Sequence, residues 1–175
     1  MAHFVMGVLR RTQNRLTESK TELETAIRLD RNDPPTYQQL GFTLMLMGQP
    51  EAGIPHIERA IRLNLHEPSV ASTYWTLGAC HLLLGHLNEA VDLLGKARTA
   101  NRRLWGSHLW LAGALGLNGD LDDARAALAE AIKLKPEINS LAQFGAQSPY
   151  TNPAYMALRA KTLYVGLRRA GFLEE

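Results

Sequence analysis

One segment of roughly 34 residues recurs four times along the chain, and this repetition limits the fold more than any other feature. When the four copies are aligned without internal gaps, an alanine falls at the same place in each copy: Ala26, Ala60, Ala97 and Ala131. A second small residue recurs upstream, as Gly7, Gly41, Gly78 and Ala112. A period of this length is typical of a solenoid, in which each unit buries its apolar face only by stacking on its neighbours.

Each copy has the pattern of two helices joined by a tight turn. In the second copy the apolar residues follow helical spacing and a glycine ends the first helix, as shown by Tyr37, Leu40, Leu44, Met47 and Gly48. The small residues have a mechanical reason, because two antiparallel helices approach closely only where no bulky side chain separates them. The pattern predicts four helix pairs, at about 2–33, 34–67, 71–104 and 105–136.

The pattern stops after Pro136. Residues 137–152 are rich in Gly, Pro, Ser and Asn, which predicts a loop with at most one short helical turn. A helix is then predicted over 153–170, because Asn152 is suited to the cap before it and Gly171 to its end. Its apolar face predicts a capping helix that covers the last repeat.

Composition narrows the class of protein. Of the 175 residues 46% are hydrophobic. The formal net charge is only +2, which does not indicate a nucleic-acid or acidic-membrane partner. Cys80 is the single cysteine, so no intrachain disulfide is possible. No window approaches the ~20 apolar residues that cross a bilayer. We therefore expect a cytoplasmic protein without a membrane partner.

Taken together, the period, the small residues and the Tyr37–Leu40–Gly41 and Tyr74–Leu77–Gly78 patterns resemble the tetratricopeptide repeat family over residues 2–136. The resemblance implies an all-α fold, a right-handed superhelical array of helix-turn-helix repeats with the capping helix at its end. It also implies a protein or peptide partner on the concave face. Some family members bind a C-terminal carboxylate there with Lys, Arg and Asn; the matching places here hold Phe4, Val8, Gln39, Ser72 and Thr76.

The last 25 residues resemble a second family. A loop, then NPAY (152–155) and a helix that ends in GLRRAG (166–171), is similar to the extreme C-terminus of bacterial adenylate/guanylate cyclases. In those proteins tetratricopeptide repeats follow the catalytic domain, and a related architecture places them behind a DNA-binding domain. The resemblance implies a non-catalytic regulatory part of a larger signalling protein. We expect that the chain was cut from something longer; a free-standing adaptor is the alternative.

No constellation of catalytic or metal-binding residues is found in the sequence. His81 and His86 are five residues apart, and the other histidines lie in different repeats without a cysteine or carboxylate at ligand spacing. Asp120, Asp122 and Asp123 crowd a helix start, where they complement its dipole. The sequence therefore predicts a module that is not an enzyme and that needs no cofactor and no metal.

The predicted partner site is the face of each first helix that lies opposite the small-residue seam. This face forms an apolar groove, which we assign to Phe4, Val8, Arg11, Gln38, Phe42, Met45, Trp75, Ala79, Leu82, Leu109 and Trp110. Three interpretations remain open. The groove receives a partner helix or extended segment, or Phe42 and Trp75 merely fill the superhelix, or the chain's own segment 141–169 folds back over them.

The arginine-rich helix end and the N-terminal edge bear on two other kinds of partner. Arg98, Arg102 and Arg103 cluster near the C-terminal end of a predicted helix. Cations stabilise such an end by interacting with the helix dipole, and no aromatic residues alternate with these arginines to stack on bases. Nucleic acid is therefore not the expected partner. Self-association into a homo-oligomer is expected to be possible through the N-terminal edge, which has no capping segment before Ala2.

Overall fold

The computed structural model describes residues 1–63 and 70–175, which form eleven α-helices. Eight of them make the repeats: α1 Ala2–Thr12, α2 Leu16–Leu29, α3 Pro34–Leu46, α4 Pro50–Leu63, α5 Val70–Leu84, α6 Leu87–Ala100, α7 Trp105–Asn118 and α8 Leu121–Leu134. Three follow: α9 Leu141–Ala146, α10 Pro153–Lys161 and α11 Leu163–Arg169. The end of the predicted second repeat, 64–67, and His66 within it lie outside the described residues.

A left-handed residue makes the turn within each helix pair. Gly48, Gly85 and Gly119 have φ of 75°, 81° and 96°, values that favour glycine because it has no Cβ. In the first pair Asn14 takes the same conformation with φ 58°, which asparagine tolerates better than most residues. The short turns make the two helices of each pair antiparallel neighbours.

The seam between paired helices has almost no spare room. A Cβ added at Gly78 would lie 2.8 Å from Leu94 Cγ, and one at Gly7 would lie 2.6 Å from Leu23 Cγ. Leu23, Ile57 and Leu94 are fully buried at this seam. The first helices α3, α5 and α7 also pack on the second helix of the pair before them, so successive pairs stack into one array. The predicted all-α array of helix pairs is confirmed.

The part after the repeats differs from the prediction in one way. The short helical turn expected within 137–152 is present as α9, whose N-cap Ser140 accepts a hydrogen bond from the backbone N–H of Gln143, and the difference lies in the helix that follows. The helix predicted over 153–170 is divided at Thr162, where φ is −121° and ψ is −84°. The Thr162 hydroxyl donates to the Leu158 carbonyl at 2.8 Å, a local bond that competes with continued helix geometry.

The division at Thr162 lets α11 cross α7 at very short range. A Cβ added at Gly166 would overlap the carbonyl of Gly113, and one at Gly116 would overlap the carbonyl of Gly166. Leu163 and Leu167 are fully buried beside this crossing. The helix packs mainly on α7 and only slightly on α8, so it does not repeat the stacking of the pairs before it. Among the described residues, no helix is long and apolar enough to cross a membrane.

Candidate functional site

A row of aromatic rings runs along successive first helices. Phe42 on α3 meets Trp75 on α5 edge to face, with ring centroids 5.6 Å apart, and Trp75 meets Trp110 on α7 in the same way at 5.8 Å. The guanidinium of Arg11 on α1 lies 4.5 Å from the centre of the Phe42 ring. Burial lowers the pKa of Arg11, and Tyr150 opposes that shift. The row therefore links all four repeats through one face.

The C-terminal segment, defined as residues 141–169, covers this row. The Tyr150 ring stands edge-on to Phe42 with centroids 6.0 Å apart. The Asn14 side chain donates to the Thr151 hydroxyl at 2.8 Å, and a Cβ added at Gly48 would lie 2.5 Å from Cβ of Ala154. The segment thus runs over the turns of the first two pairs before α11 reaches α7. Of the three open interpretations, the structure corresponds to the chain folding back over its own groove.

This placement corrects part of the predicted open groove. Met45, Ala79, Leu82 and Leu109 are at most 1% exposed, and Trp110 is 3% exposed. They belong to one core cluster that also contains Tyr155, Leu163 and Leu167 of the C-terminal segment. These predicted groove residues are therefore core residues, because neighbouring repeats and the returning segment enclose them.

The remaining predicted groove residues are spread over different environments. Phe4 is half-buried and packs with Leu23 and Leu40, and Val8 is also half-buried. Gln38 is buried and donates to the Thr76 hydroxyl at 3.1 Å. Only Phe42 and Trp75 of the predicted set stay half-exposed beside the C-terminal segment.

A cavity of about 170 Å³ remains between the segment and the repeats. Its walls include Trp75 and Trp110 from the repeats and Phe144, Tyr155 and Arg159 from the segment. Sequence reasoning did not find the last three as site residues. The one signal was on α10, where Tyr155 and Arg159 are four residues apart and so share a helix face.

Cys80 and Tyr155 are buried titratable side chains near this site. Burial raises the pKa of the Cys80 thiol to about 12 and that of Tyr155 to about 12, so both stay neutral. His81 and His86 do approach each other, with their Nδ1 atoms 3.3 Å apart across the turn. Within the described ranges, however, no three His, Cys, Asp or Glu side chains gather as a metal site requires.

Comparison with known proteins decides the family. Two models of the tetratricopeptide repeat match the chain, over residues 33–103 and 84–137, and together they cover more than half of it. The chain belongs to the tetratricopeptide repeat family. Such repeats form protein–protein interaction modules and are generally non-catalytic. The four stacked helix pairs are therefore a tetratricopeptide array that serves protein interaction.

Three similar proteins carry the same repeats or fold. BBSome complex member BBS4 of Xenopus tropicalis is 26% identical over 140 residues, which are 80% of this chain and 26% of that protein. The chain thus spans about a quarter of the curated relatives it matches. TTC0263, a thermophilic tetratricopeptide protein of Thermus thermophilus, shares 22% identity at a TM-score of 0.70, covering 97% and 96% of the two chains.

The third is YrrB, described as a tetratricopeptide protein with an unusual peptide-binding site. It shares 15% identity at a TM-score of 0.65, covering 94% of this chain and 85% of its own. At these identities the structural likenesses show a common tetratricopeptide fold and nothing more.

Proposed function

We propose that this module binds a partner segment along the aromatic row, and that the partner does so by displacing the C-terminal segment. The observation that carries the proposal is the contact of Tyr150 with Phe42, because it gives an example of what the groove accepts. The residues that occupy it are an extended stretch with an aromatic anchor, followed by a helix. We infer that the partner has the same chemistry, an aromatic residue leading into an amphipathic helix.

The contacts of the segment with the repeats are of a kind that another chain can replace. Within the described part of the chain, two exposed side-chain hydrogen bonds join it to the array, from Asn14 to Thr151 at 2.8 Å and from Arg169 to the Leu117 carbonyl at 3.3 Å. Much of the rest is apolar contact, which is not directional. The cavity of about 170 Å³ indicates that the segment leaves part of the groove unfilled. A partner that fills this space gains contacts that the segment does not make.

The tethered segment is a strong competitor, because it acts at an effective concentration in the ~millimolar range. A free segment of identical sequence therefore binds the intact chain weakly. A substitution that weakens the tethered copy therefore favours binding of the free peptide, and it leaves the groove residues on the repeats unaltered. Tighter binding of the free peptide to a chain whose tethered copy is weakened is expected for groove binding and not for non-specific adhesion. The test is designed on this difference.

The test uses a fluorescent synthetic peptide of residues 141–169 and measures its anisotropy with the intact chain and with Tyr150→Ala. The variant loses one aromatic pair, worth ~0.5–1.5 kcal/mol, so we expect the peptide to bind it roughly two- to tenfold more tightly. Adding Phe42→Asp to that variant should abolish binding. Tyr37→Ala is the matched control, since Tyr37 stacks on His56 and lies away from the segment.

Two results would contradict the proposal. One is the absence of peptide binding to Tyr150→Ala, and the other is equal binding with and without Phe42→Asp. A second groove variant, Trp75→Asp, is made beside Phe42→Asp, and circular dichroism must accompany both because both side chains also pack in the array. Loss of the helical circular dichroism signal in both variants would show that the Phe42 and Trp75 rings are needed for folding. It would refute the proposal that a partner can replace the contact of the segment with them.

We propose as a second candidate that the array is the regulatory part of a larger signalling protein, such as a nucleotide cyclase. The support is the sequence from NPAY (152–155) to GLRRAG (166–171), together with the use of Gly166 and Gly171 at a helix crossing and a left-handed turn. The alternatives are a transcriptional regulator and a free-standing adaptor. We place the protein in the cytoplasm in each of these cases. An antibody against this chain tests the candidate: we expect a native band several times 19.4 kDa. A native band at 19.4 kDa, the size of this chain alone, would refute the candidate.

We propose further that copies of the chain associate through the outer face of α1. Val5 and Leu9 lie one turn apart and are 54% and 44% exposed, and Leu29, which lines the same surface depression as Val5, is 73% exposed. Apolar side chains grouped in this way are typical of an interface. Light scattering after size-exclusion chromatography should show a dimer or larger species that Val5→Glu and Leu9→Glu return to a monomer. A monomer for the unchanged chain at all concentrations would contradict this.

A further inference from the structure

We propose that the cavity between the C-terminal segment and the repeats binds a small aromatic carboxylate. This site is distinct from the proposed partner site, because its ligand touches the closed arrangement of segment and repeats rather than replacing the segment. Its test is performed on the chain alone, without a partner. Failure of either proposal therefore leaves the other standing.

The cavity has the size and walls of a site for one aromatic ring. Its volume is about 170 Å³, and an apolar cavity of ~150 Å³ is enough to hold benzene. Trp75, Trp105, Trp110 and Phe144 line it. Trp105 and Phe144 stand edge to face with centroids 6.3 Å apart, so the aromatic wall is continuous from the repeats to the C-terminal segment. The walls thus select a flat, apolar group.

The requirement for a negatively charged group on the ligand comes from Arg159, which lines the same cavity and is 1% exposed. Its Nη1 donates to the Ser148 hydroxyl at 3.3 Å, but Nε and Nη2 find no acceptor among the described residues. Within those residues no carboxylate oxygen lies within 4 Å of its guanidinium. Rings surround it instead, with its Cζ 4.5 Å from the centre of Phe144 and 4.9 Å from that of Tyr164.

A buried cation without an anion is costly, and a carboxylate that accepts from two guanidinium nitrogens removes that cost. The other polar atoms that face the cavity are also suited to an acceptor. The Trp75 indole Nε1 is buried without an acceptor in the described part of the chain, and the Lys135 ammonium lies 4.6 Å from the centre of Trp105. Of the residues that the structure describes, no aspartate or glutamate lines the cavity. The site therefore favours anions and disfavours amines.

The experiment measures binding of phenylacetate by titration calorimetry and compares it with phenylacetamide, which has the same ring and no charge. We expect saturable binding of phenylacetate with one ligand per chain. Phenylacetamide should bind about tenfold more weakly or worse, because charge-assisted hydrogen bonds are among the strongest polar contacts. Equal affinity for both, or no binding of phenylacetate at all, would overturn the proposal.

Two variants locate the site independently. Arg159→Met keeps the length and apolar contacts of the side chain and should weaken phenylacetate about tenfold or more, whereas Arg169→Met, at an exposed arginine, should not. Gly106→Leu fills the cavity while leaving every charge in place, since a Cβ at Gly106 would point at the Trp75 indole from 3.6 Å. It should abolish binding, and Gly95→Leu is its control because open space surrounds Gly95.

Inorganic phosphate is the remaining probe. The ring-lined cavity predicts that phosphate competes poorly with phenylacetate. Phosphate binding as tight as phenylacetate binding would show an anion site without aromatic selectivity and would overturn the assigned ligand class. Unchanged phenylacetate affinity in folded Gly106→Leu would place binding elsewhere and would overturn the site. Circular dichroism on both variants establishes that they are folded.

Discussion

The crossing of α11 over α7 makes a sharp prediction for Gly166→Ala. A single methyl group at this position would overlap the carbonyl of Gly113, and a backbone carbonyl cannot turn aside as a side-chain tip does. The helices must therefore separate. Alanine is otherwise the better helix residue by ~1 kcal/mol, so the prediction runs against intrinsic propensity and depends on the tertiary contact alone.

The magnitude follows from what α11 buries. Leu163 and Leu167 are both fully buried, and each fully buried leucine contributes about 1.5–3 kcal/mol. Losing half of that burial costs about 1.5–3 kcal/mol, in line with the ~1–3 kcal/mol that overpacking typically costs. After the gain in helix propensity of ~1 kcal/mol, we expect Gly166→Ala to lower the free energy of unfolding by about 0.5–2 kcal/mol.

Urea unfolding followed by circular dichroism measures this change. Gly95→Ala is the matched control, because Gly95 lies inside α6 with open space around it, and it should stabilise the chain by about 0.5–1 kcal/mol. The two glycine-to-alanine changes thus have opposite predicted signs. If Gly166→Ala were as stable as the unchanged chain or more so, the close crossing would be refuted.

Three further predictions concern the repeats and the buried thiol. Gly78→Ala should destabilise the third pair by about 1–3 kcal/mol in urea unfolding, because its Cβ would meet Leu94 at 2.8 Å; no loss would contradict the tight seam. Phe42→Ala should cost about 2 kcal/mol by the same measurement, less than for a fully enclosed ring, since Phe42 is half-buried; a change near zero would contradict its contacts with Trp75 and Tyr150. Cys80 should resist a thiol reagent until the chain unfolds, because its pKa is about 12 in the folded state. The unfolded thiol releases its proton near its ordinary pKa of 9.0, so unfolding releases a proton between the two values and stability should fall as pH rises from 9 towards 12. Cys80→Ala should remove part of this fall, and identical pH dependence in both proteins would refute the assignment.

The repeat architecture was predictable from sequence because its determinants are local and occur four times. Gly48, Gly85 and Gly119 mark turns by a conformation that few other residues adopt, and the first pair shows how far the rule extends, with Asn14 in the same role. The seam was predictable for the same reason. Gly78 and Leu94 meet within one helix pair, so their spacing appears in every copy.

The candidate site was predictable only in part, because its second half comes from contacts between distant parts of the chain. Phe42 and Trp75 were found from their register on the first helices, but nothing in that register shows that Tyr150 covers them. The Asn14–Thr151 hydrogen bond joins residues 137 positions apart. Such a contact depends on the shape of the folded array and leaves no periodic signal in the sequence.

Arg159 shows the same limit for a single side chain. On the sequence it is one of several arginines in the C-terminal segment, and exposure is the ordinary expectation for this residue type. It is buried because α10 lies against Phe144 and Tyr164, two rings from different elements of the C-terminal segment. Predicting the environment of Arg159 therefore requires knowledge of how α9, α10 and α11 pack together.

In the isolated chain the C-terminal segment lies along the aromatic row of the repeats. Nuclear Overhauser spectroscopy of the isotope-labelled protein tests it most directly, because it detects protons of rings in contact. We expect cross-peaks between the ring of Tyr150 and that of Phe42, whose centroids are 6.0 Å apart, and their loss in Gly166→Ala if α11 is displaced. Cross-peaks from Phe42 to Trp75 without any to Tyr150 would show an open groove and would contradict the claim.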